Sequence, residues 1–239
     1  MGVVDYILRL IFPDRCIFCG KPTKLYSKNP NVCDDCAESV HAIYIENCIK
    51  CGAKLENHSN PYCRECQSMN YICTDGVSVF HYNDIKKTIF HFKYTGYKTD
   101  GLILGKYMAD CLINGNCDGI LKTDVIVPIP ISDKKEKKRG FNQTAILADK
   151  LSAELEIYCC KDMLKRVKNT VPQSKLTGME RKYNVMNVFE FNDQHSIEGK
   201  NILLVDDIFT TGSTVEECAR TLMYAGADKV YFITLARTI

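Results

Sequence analysis

Ile202-Leu203-Leu204-Val205-Asp206-Asp207-Ile208-Phe209-Thr210-Thr211-Gly212-Ser213-Thr214 decides how the chain is read. A continuous apolar run, as expected of a strand buried on both faces, leads into two adjacent carboxylates. A loop of hydroxyls around one glycine follows, and Val215 to Tyr224 has helical periodicity. Glycine allows close backbone approach, and successive N–H groups in such a turn form an anion-binding nest. The helix behind it adds the positive end of its dipole, so a phosphate fits against Thr210, Thr211, Gly212, Ser213 and Thr214. Asp206 and Asp207, just upstream, are placed to accept from vicinal ribose hydroxyls. Together these features point to a ribose 5-phosphate. Helix capping by Ser213 or Thr214 would account for one hydroxyl, but not for two carboxylates and four hydroxyls in one turn.

Outward from this segment, β-rich runs alternate with helical stretches from Thr74 onward. Gly76–Tyr82, Asp124–Ile129 and Lys229–Leu235 read as strands beside Asn201–Val205. Asp84–Tyr94, Leu102–Ile113 and Asn142–Leu155 read as helices. The alternation predicts an α/β domain with a mostly parallel sheet flanked by helices on both sides. Ligands of such sheets lie outside the carboxyl ends of the strands, here just after Val205 and around Pro128. Between them, Ser132–Gly140 (SDKKEKKRG) reads as a loop with five basic residues against two acids, suited to a solvated turn or to anion contact. Lys93, Tyr94, Tyr97 and Lys98 nearby suit single-strand stacking beside phosphate contacts, although aromatics at that spacing also serve as core.

The first third has another character. Four Cys-x-x-Cys pairs occur, Cys16/Cys19, Cys33/Cys36, Cys48/Cys51 and Cys63/Cys66, with 13 residues between the first two and 11 between the last two. A two-residue spacer lets one turn supply two thiolates, and two such pairs close a tetrahedral zinc site. The repeat predicts two structural zinc ions in a small module that folds only around its metal. Sequential pairing is the nearest assignment, and an interleaved one stays open. Cys73, Cys111, Cys117, Cys159, Cys160 and Cys218 lack ligand spacing and read as small buried hydrophobes. The expected division is residues 1–73 for an N-terminal helix and double zinc-ribbon module, and 74–239 for the α/β domain.

With 31 Lys and Arg against 29 Asp and Glu, the net charge of +2 excludes a globally basic nucleic-acid binder, so any such role needs local patches. Met1–Phe12 carries Asp5 and Arg9 and has no basic leader or cleavage site, which reads as a short amphipathic helix rather than a signal peptide. Val4, Ile7, Leu8 and Ile11 would cover a neighbouring surface or touch a membrane face. A cytoplasmic location is expected, where thiols stay reduced and bind metal.

Ile202 to Thr214 closely resembles the diphosphoribosyl-pyrophosphate signature of type I phosphoribosyltransferases. Three further segments resemble blocks of the ComF competence proteins. They are Val127-Pro128-Ile129-Pro130 with Arg139-Gly140-Phe141-Asn142-Gln143, then Gln173-Ser174-Lys175-Leu176 with Arg181 and Asn184–Phe189, and Phe92-Lys93-Tyr94-Thr95-Gly96. With the cysteine pairs in front, the resemblance covers nearly the full length. It implies a phosphoribosyltransferase type I-like domain behind a double zinc ribbon. It further implies that Asp206 and Asp207 hold the ribose hydroxyls and that Thr210–Thr214 cradle the 5-phosphate. Pro128, Ile129, Pro130, Arg139 and Arg181 would belong to the pyrophosphate and flexible loops. Magnesium would be carried mainly by phosphoribosyl pyrophosphate, with few protein ligands.

Three functions are compatible with this resemblance. The first is a factor of natural competence that handles incoming single-stranded DNA and keeps a phosphoribosyl pyrophosphate pocket. The second is an active phosphoribosyltransferase on a base or amine, in which Asp206 and Asp207 act in catalysis by positioning the ribose and stabilising positive charge on it. Only four residues follow Leu235, so in that case the zinc module is expected to take the place of a C-terminal hood. The third is a regulatory or adaptor module that senses the sugar diphosphate or docks onto a competence helicase through its zinc ribbons.

Overall fold

A computed structural model describes residues 13–24, 30–40, 42, 48, 51–53, 55, 59–68, 71–94, 98–115, 117–168 and 187–238. The expected helix over Met1–Phe12, Thr95–Tyr97, and the Gln173–Leu176 block with Arg181 and Asn184 lie outside the described residues.

Two short helices, α1 (Asp34–Ser39) and α2 (Arg64–Ser68), belong to the cysteine-rich part. Then follow β1 (Gly76–His81), α3 (Tyr82–Tyr94), α4 (Lys98–Asn114), α5 (Asp118–Leu121) and β2 (Val125–Pro128). Next come α6 (Asp133–Arg139), α7 (Gln143–Leu155), β3 (Leu164–Arg166) and β4 (Phe189–Phe191), and β5 (Asn201–Phe209), α8 (Ser213–Tyr224) and β6 (Lys229–Arg237) close the chain.

The main sheet has the order β1-β6-β5-β2, and every pairing is parallel. Residues 158–160 lengthen its far edge, because Ile126 N donates to Tyr158 O (2.8 Å) and Cys160 N to Ile126 O (2.9 Å). The chain thus leaves β2 in one direction and returns on its other side as β5. That reversal is the switch point at which parallel sheets open a ligand crevice.

Side chains alternate along β5. Leu203 and Val205 join the core formed with Ile85, Phe92, Leu104, Met108 and Leu147 of α3, α4 and α7. Ile202 and Leu204 face the core formed with Val215, Cys218 and Leu222 of α8. Each fully buried aliphatic side chain contributes about 1.5–3 kcal/mol, so this two-faced strand anchors the domain. The predicted α/β architecture is the observed one.

Two segments depart from the sequence reading. Ser132–Gly140 is not a loop, because α6 occupies Asp133–Arg139. Its Lys and Glu residues are good helix formers, Asp133 and Glu136 lie in the first turn, Lys137, Lys138 and Arg139 lie in the last, and Gly140 ends it in a left-handed conformation at φ 78°. In addition, β5 runs four residues beyond Val205, since Asp206 and Ile208 keep register with Thr234 and Ala236 of β6. The two carboxylates therefore stand on a strand end fixed by backbone pairing, not in a free loop.

Both cysteine quartets dock onto this domain. Cys16, Phe18 and Cys36 join the α3–α4–α7 core, where Phe18 makes edge contacts with Phe80 and Tyr107. Cys48, Cys51 and Cys66 join the α8 core. There Ser78 Oγ donates to Cys51 O (3.2 Å), and a Cβ at Gly52 would stand 2.6 Å from Ser78 N. Only glycine allows that approach.

Candidate functional site

A cleft of about 740 Å³ opens at the carboxyl ends of the sheet strands, lined by Asp206, Asp207, Thr210, Gly212 and Thr214 among others. Asp207 is buried and held by two side chains. Lys93 Nζ of α3 lies 2.8 Å from its Oδ2, and Gln143 Nε2 of α7 donates to the same oxygen at 2.8 Å. Gln143 in turn accepts from Arg139 Nη1 (2.7 Å), so a chain of hydrogen bonds runs from the end of α6 to the carboxylate. Burial alone would raise the Asp207 carboxyl, but the Lys93 ammonium and the Gln143 amide hold it below the usual carboxylate range.

Asp206 is half-buried and has the opposite electrostatics. Burial, then the neighbouring Asp207 charge, pushes its carboxyl up to about 7. Its Oδ1 accepts from the Asp207 N–H at 2.8 Å. Two adjacent carboxyls thus sit in different states near neutrality, one ionised and one shared with a proton. Around them Lys93, Lys135, Arg139 and Arg166 line the same cleft. Burial, then Arg166 and Arg139, depresses the Lys135 ammonium, as expected where cations converge on space that an anion would fill.

The hydroxyl loop closes the cleft below. Gly212 is the residue before α8, at φ 75°, and a Cβ there would meet Phe209 at 2.7 Å and Tyr71 at 3.1 Å. Thr211 Oγ1 and Ser213 Oγ hydrogen-bond each other at 2.7 Å, while Thr210 and Thr214 face the cleft. Gly212→Ala is expected to destabilise the protein by about 1–3 kcal/mol through left-handed strain and this clash, measured by chemical denaturation.

Of the β2 region, Ile129 and Pro130 line the cleft, whereas Pro128 is buried inside the strand. Arg139 reaches in across α6, supplying the basic group that the apolar strand end lacks. Lys93 and Gln143 emerge as direct partners of Asp207. Both stand in segments that the sequence reading quoted, but no local pattern ties either to a carboxylate far along the chain.

The cysteines form two separate groups, Cys16/Cys19/Cys33/Cys36 and Cys48/Cys51/Cys63/Cys66, so the pairing is sequential. Cys19 and Cys33 Sγ lie 3.6 Å apart, as do Cys51 and Cys63 Sγ. A tetrahedral zinc ion with bonds of about 2.3 Å separates two sulfurs by about 3.8 Å, so both quartets fit structural zinc.

The second quartet is joined to the cleft floor. Arg237 Nη2 at the end of β6 donates to Glu65 Oε2 of α2 at 2.8 Å, between two cysteine ligands, and its guanidinium stacks on Phe209 at 5.0 Å. Glu216 in the first turn of α8 accepts from Ile72 N (2.7 Å) and Cys73 N (3.2 Å).

A double zinc ribbon domain model matches residues 7–67, and a phosphoribosyl transferase domain model matches residues 121–238. Competence protein ComFC of Bacillus subtilis is 32% identical over 94% of this chain and 89% of its own length. Competence protein F of Haemophilus influenzae is 27% identical over 95% and 98% respectively. DNA utilization protein YhgH of Salmonella typhimurium is 29% identical over 96% and 100%. Among solved structures, a purine phosphoribosyltransferase from Pyrococcus horikoshii overlaps 59% of the chain and 73% of its own (19% identity, TM-score 0.35). A phosphoribosylpyrophosphate synthetase from Mycobacterium smegmatis overlaps 54% (16% identity, TM-score 0.35), and the chain spans only 33% of that protein. On the match to ComFC over most of both chains, with a double zinc ribbon followed by a phosphoribosyl transferase domain in this chain, the chain belongs to the ComF family of competence proteins.

Proposed function

We propose that this chain acts in DNA uptake or use, handling single-stranded DNA beside a pocket for phosphoribosyl pyrophosphate. The observation that carries the pocket is the Asp206–Asp207 pair between converging cations and the Gly212 loop. Asp207, ionised, accepts from one ribose hydroxyl, and Asp206 accepts from the other once it gives up its proton. The loop N–H groups and the α8 dipole take the 5-phosphate. Lys93, Lys135, Arg139 and Arg166 face the diphosphate. Magnesium fits as a companion of that ligand, because the Asp206 carboxylate already accepts from the Asp207 backbone N–H and the Asp207 carboxylate is paired with Lys93. Bound there, it would neutralise diphosphate charge.

The single-strand reading rests on the rim. Phe90 and Tyr94 of α3 are 62% and 49% exposed, and their ring centroids lie 4.8 Å apart. Lys138 and Arg139 of α6 approach the Tyr94 ring at 5.8 and 5.2 Å. Exposed aromatics flanked by cations make a stacking platform beside phosphate contacts, and each stacked base contributes about 1–3 kcal/mol. Phe90→Ala/Tyr94→Ala is therefore expected to weaken binding of a labelled oligonucleotide about 10–100-fold. Affinity unchanged by the double substitution, or insensitive to salt, would refute this surface.

An active phosphoribosyltransferase is the second reading, favoured by the ionised Asp207 next to the cations. Pyrophosphate release from phosphoribosyl pyrophosphate, with bases, nucleosides and single strands as acceptors, tests it against Asp206→Asn/Asp207→Asn. Acceptor-dependent turnover lost in the variant establishes the transferase. Absence of turnover, with the ligand still raising the Tm of the wild-type protein alone, leaves a recognition pocket.

A further inference from the structure

Cys160, read from sequence as a plain buried thiol, stands beside two other metal-ligating side chains: its sulfur, Asp162 and His195 bring their ligand atoms within 4.8 Å of one another. Cys160 is 1% exposed, so its sulfur is fixed by packing. Its Sγ lies 3.6 Å from His195 Nε2, 3.8 Å from His195 Nδ1 and 3.4 Å from Asp162 Oδ1. His195 Nε2 and Asp162 Oδ1 are 3.0 Å apart.

Zinc bonds run to about 2.3 Å for sulfur and about 2.0–2.1 Å for nitrogen or oxygen, so tetrahedral angles place sulfur about 3.6 Å from nitrogen and about 3.5 Å from oxygen, and nitrogen about 3.3 Å from oxygen. The three distances, sulfur to Nε2, sulfur to Oδ1 and Nε2 to Oδ1, lie within a few tenths of an ångström of those edges. Sγ stands nearly equidistant from the two ring nitrogens, over the imidazole face, so metal binding turns the ring to aim Nε2 at the ion.

The backbone around the cluster is held independently of it. Cys160 N donates to Ile126 O of β2, Asn192 N to Met163 O (2.9 Å), and His195 N to Asn192 O (3.1 Å). Lys161, between two of the candidate ligands, is turned away onto Asp149 (2.8 Å), so its charge is engaged elsewhere. Cys160 Sγ–H donates to Asp162 Oδ1, which also meets His195 Nε2, so hydrogen bonds hold the three side chains together and an ion would replace them.

We propose that Cys160, Asp162 and His195 form a third metal site, separate from both cysteine quartets, that takes zinc or a similar borderline divalent cation. The donor set of one thiolate, one imidazole and one carboxylate suits zinc or Co²⁺ and not magnesium or calcium. The half-exposed His195 and exposed Asp162 give an entry path, and three protein ligands leave a fourth position for an exogenous group, as in non-structural zinc sites. Cys160 and Asp162 precede β3 and His195 follows β4, so the ion would clasp the base of the antiparallel β3–β4 ribbon. That ribbon carries Arg166 into the cleft, so occupancy of the third site would steady one of the cations facing the proposed diphosphate.

The test is a metal count on the full chain, after equilibration with excess zinc and removal of free ion, for wild type, His195→Gln and Asp162→Asn. Wild type is expected to hold one more zinc per chain than His195→Gln, with Asp162→Asn losing it on milder chelation. Mild chelation that empties the third site while both cysteine quartets keep their zinc, followed by Co²⁺, should give a visible tetrahedral spectrum with one thiolate-to-metal band, absent in His195→Gln. His195 lies at the surface, so this variant reads the site without depending on a buried replacement of Cys160. Equal zinc content in wild type and His195→Gln, or a Co²⁺ spectrum unchanged by either substitution, would overturn the assignment. The comparison is a difference between variants, so it stands whatever ligand the cleft binds.

Discussion

Cys63→Ser is expected to release one zinc ion and, with it, the order of the phosphate loop, whereas Cys19→Ser should release one zinc ion and leave that loop in place. The difference lies in what each quartet holds. Cys63 and Cys66 flank Glu65, whose carboxylate receives Arg237, and Arg237 stacks on Phe209 immediately before Thr210. Phe209 also stacks on Phe232 at 5.0 Å, and Tyr71 packs beside Gly212. Loss of the second ion would free α2, strand a buried guanidinium without its carboxylate, and remove one wall of the loop. Glu65 is largely exposed, so its pair with Arg237 contributes little by itself. The main loss is the metal, since structural zinc contributes about 10–16 kcal/mol in isolated zinc modules, against a typical domain stability of about 5–15 kcal/mol. The first quartet packs on Phe80 and Tyr107, on the other face of the sheet from Phe209. Zinc content and amide hydrogen exchange over residues 209–214 measure the effect without assuming any ligand. Equal protection of that segment in both variants would show that the second ribbon does not support the loop.

What the sequence discloses about this molecule follows from the range of its patterns. The β5 strand, the glycine loop and the start of α8 are contiguous, so hydrophobic runs and turn chemistry expose them directly. The cysteine quartets are legible because two-residue spacers repeat within each pair, although only the fold shows that neighbouring pairs close on each other. The helix α6 was hidden by its charge, since a run of Lys and Glu suits a solvated turn as well as a helix, and the Gly140 cap decides between them. Long-range partnerships leave no local trace. Gln143 meets Asp207 across 64 positions, Arg237 meets Glu65 across 172, and His195 meets Cys160 across 35. Spacing rules treat Cys160 as an ordinary core thiol, because its companions arrive only when the ribbon base closes.

The two carboxylates of the cleft should respond to pH with opposite signs when each is replaced. Asp206 has its folded value raised from 3.8 to about 7, so the folded protein holds more protons than the unfolded chain between those limits. Stability therefore falls as pH rises through that window, and above about 7 the ionised side chain in its buried setting costs on the order of 2–4 kcal/mol. Asp206→Asn removes this penalty. It is expected to raise the Tm of the ligand-free protein by about 5–10 °C at pH 8 and to leave it unchanged near pH 4.

Asp207 is depressed instead, so its contribution is present above the unfolded value of 3.8 and is lost as pH falls through the lowered folded value. Asp207→Asn leaves Lys93 buried without its carboxylate and should lower stability by about 3–5 kcal/mol at pH 8, with a smaller effect in acid. Thermal unfolding of both variants from pH 4 to 8 measures the contrast. Parallel shifts of one sign would mean that the pair titrates as equivalent surface acids and that Lys93 does not distinguish them. Opposite shifts would mean that the ligand-free cleft keeps one carboxylate charged and strains the other. The proposed ribose 5-phosphate ligand would then relieve that strain, because one of its hydroxyls donates to Asp206 at the point where that carboxyl must ionise.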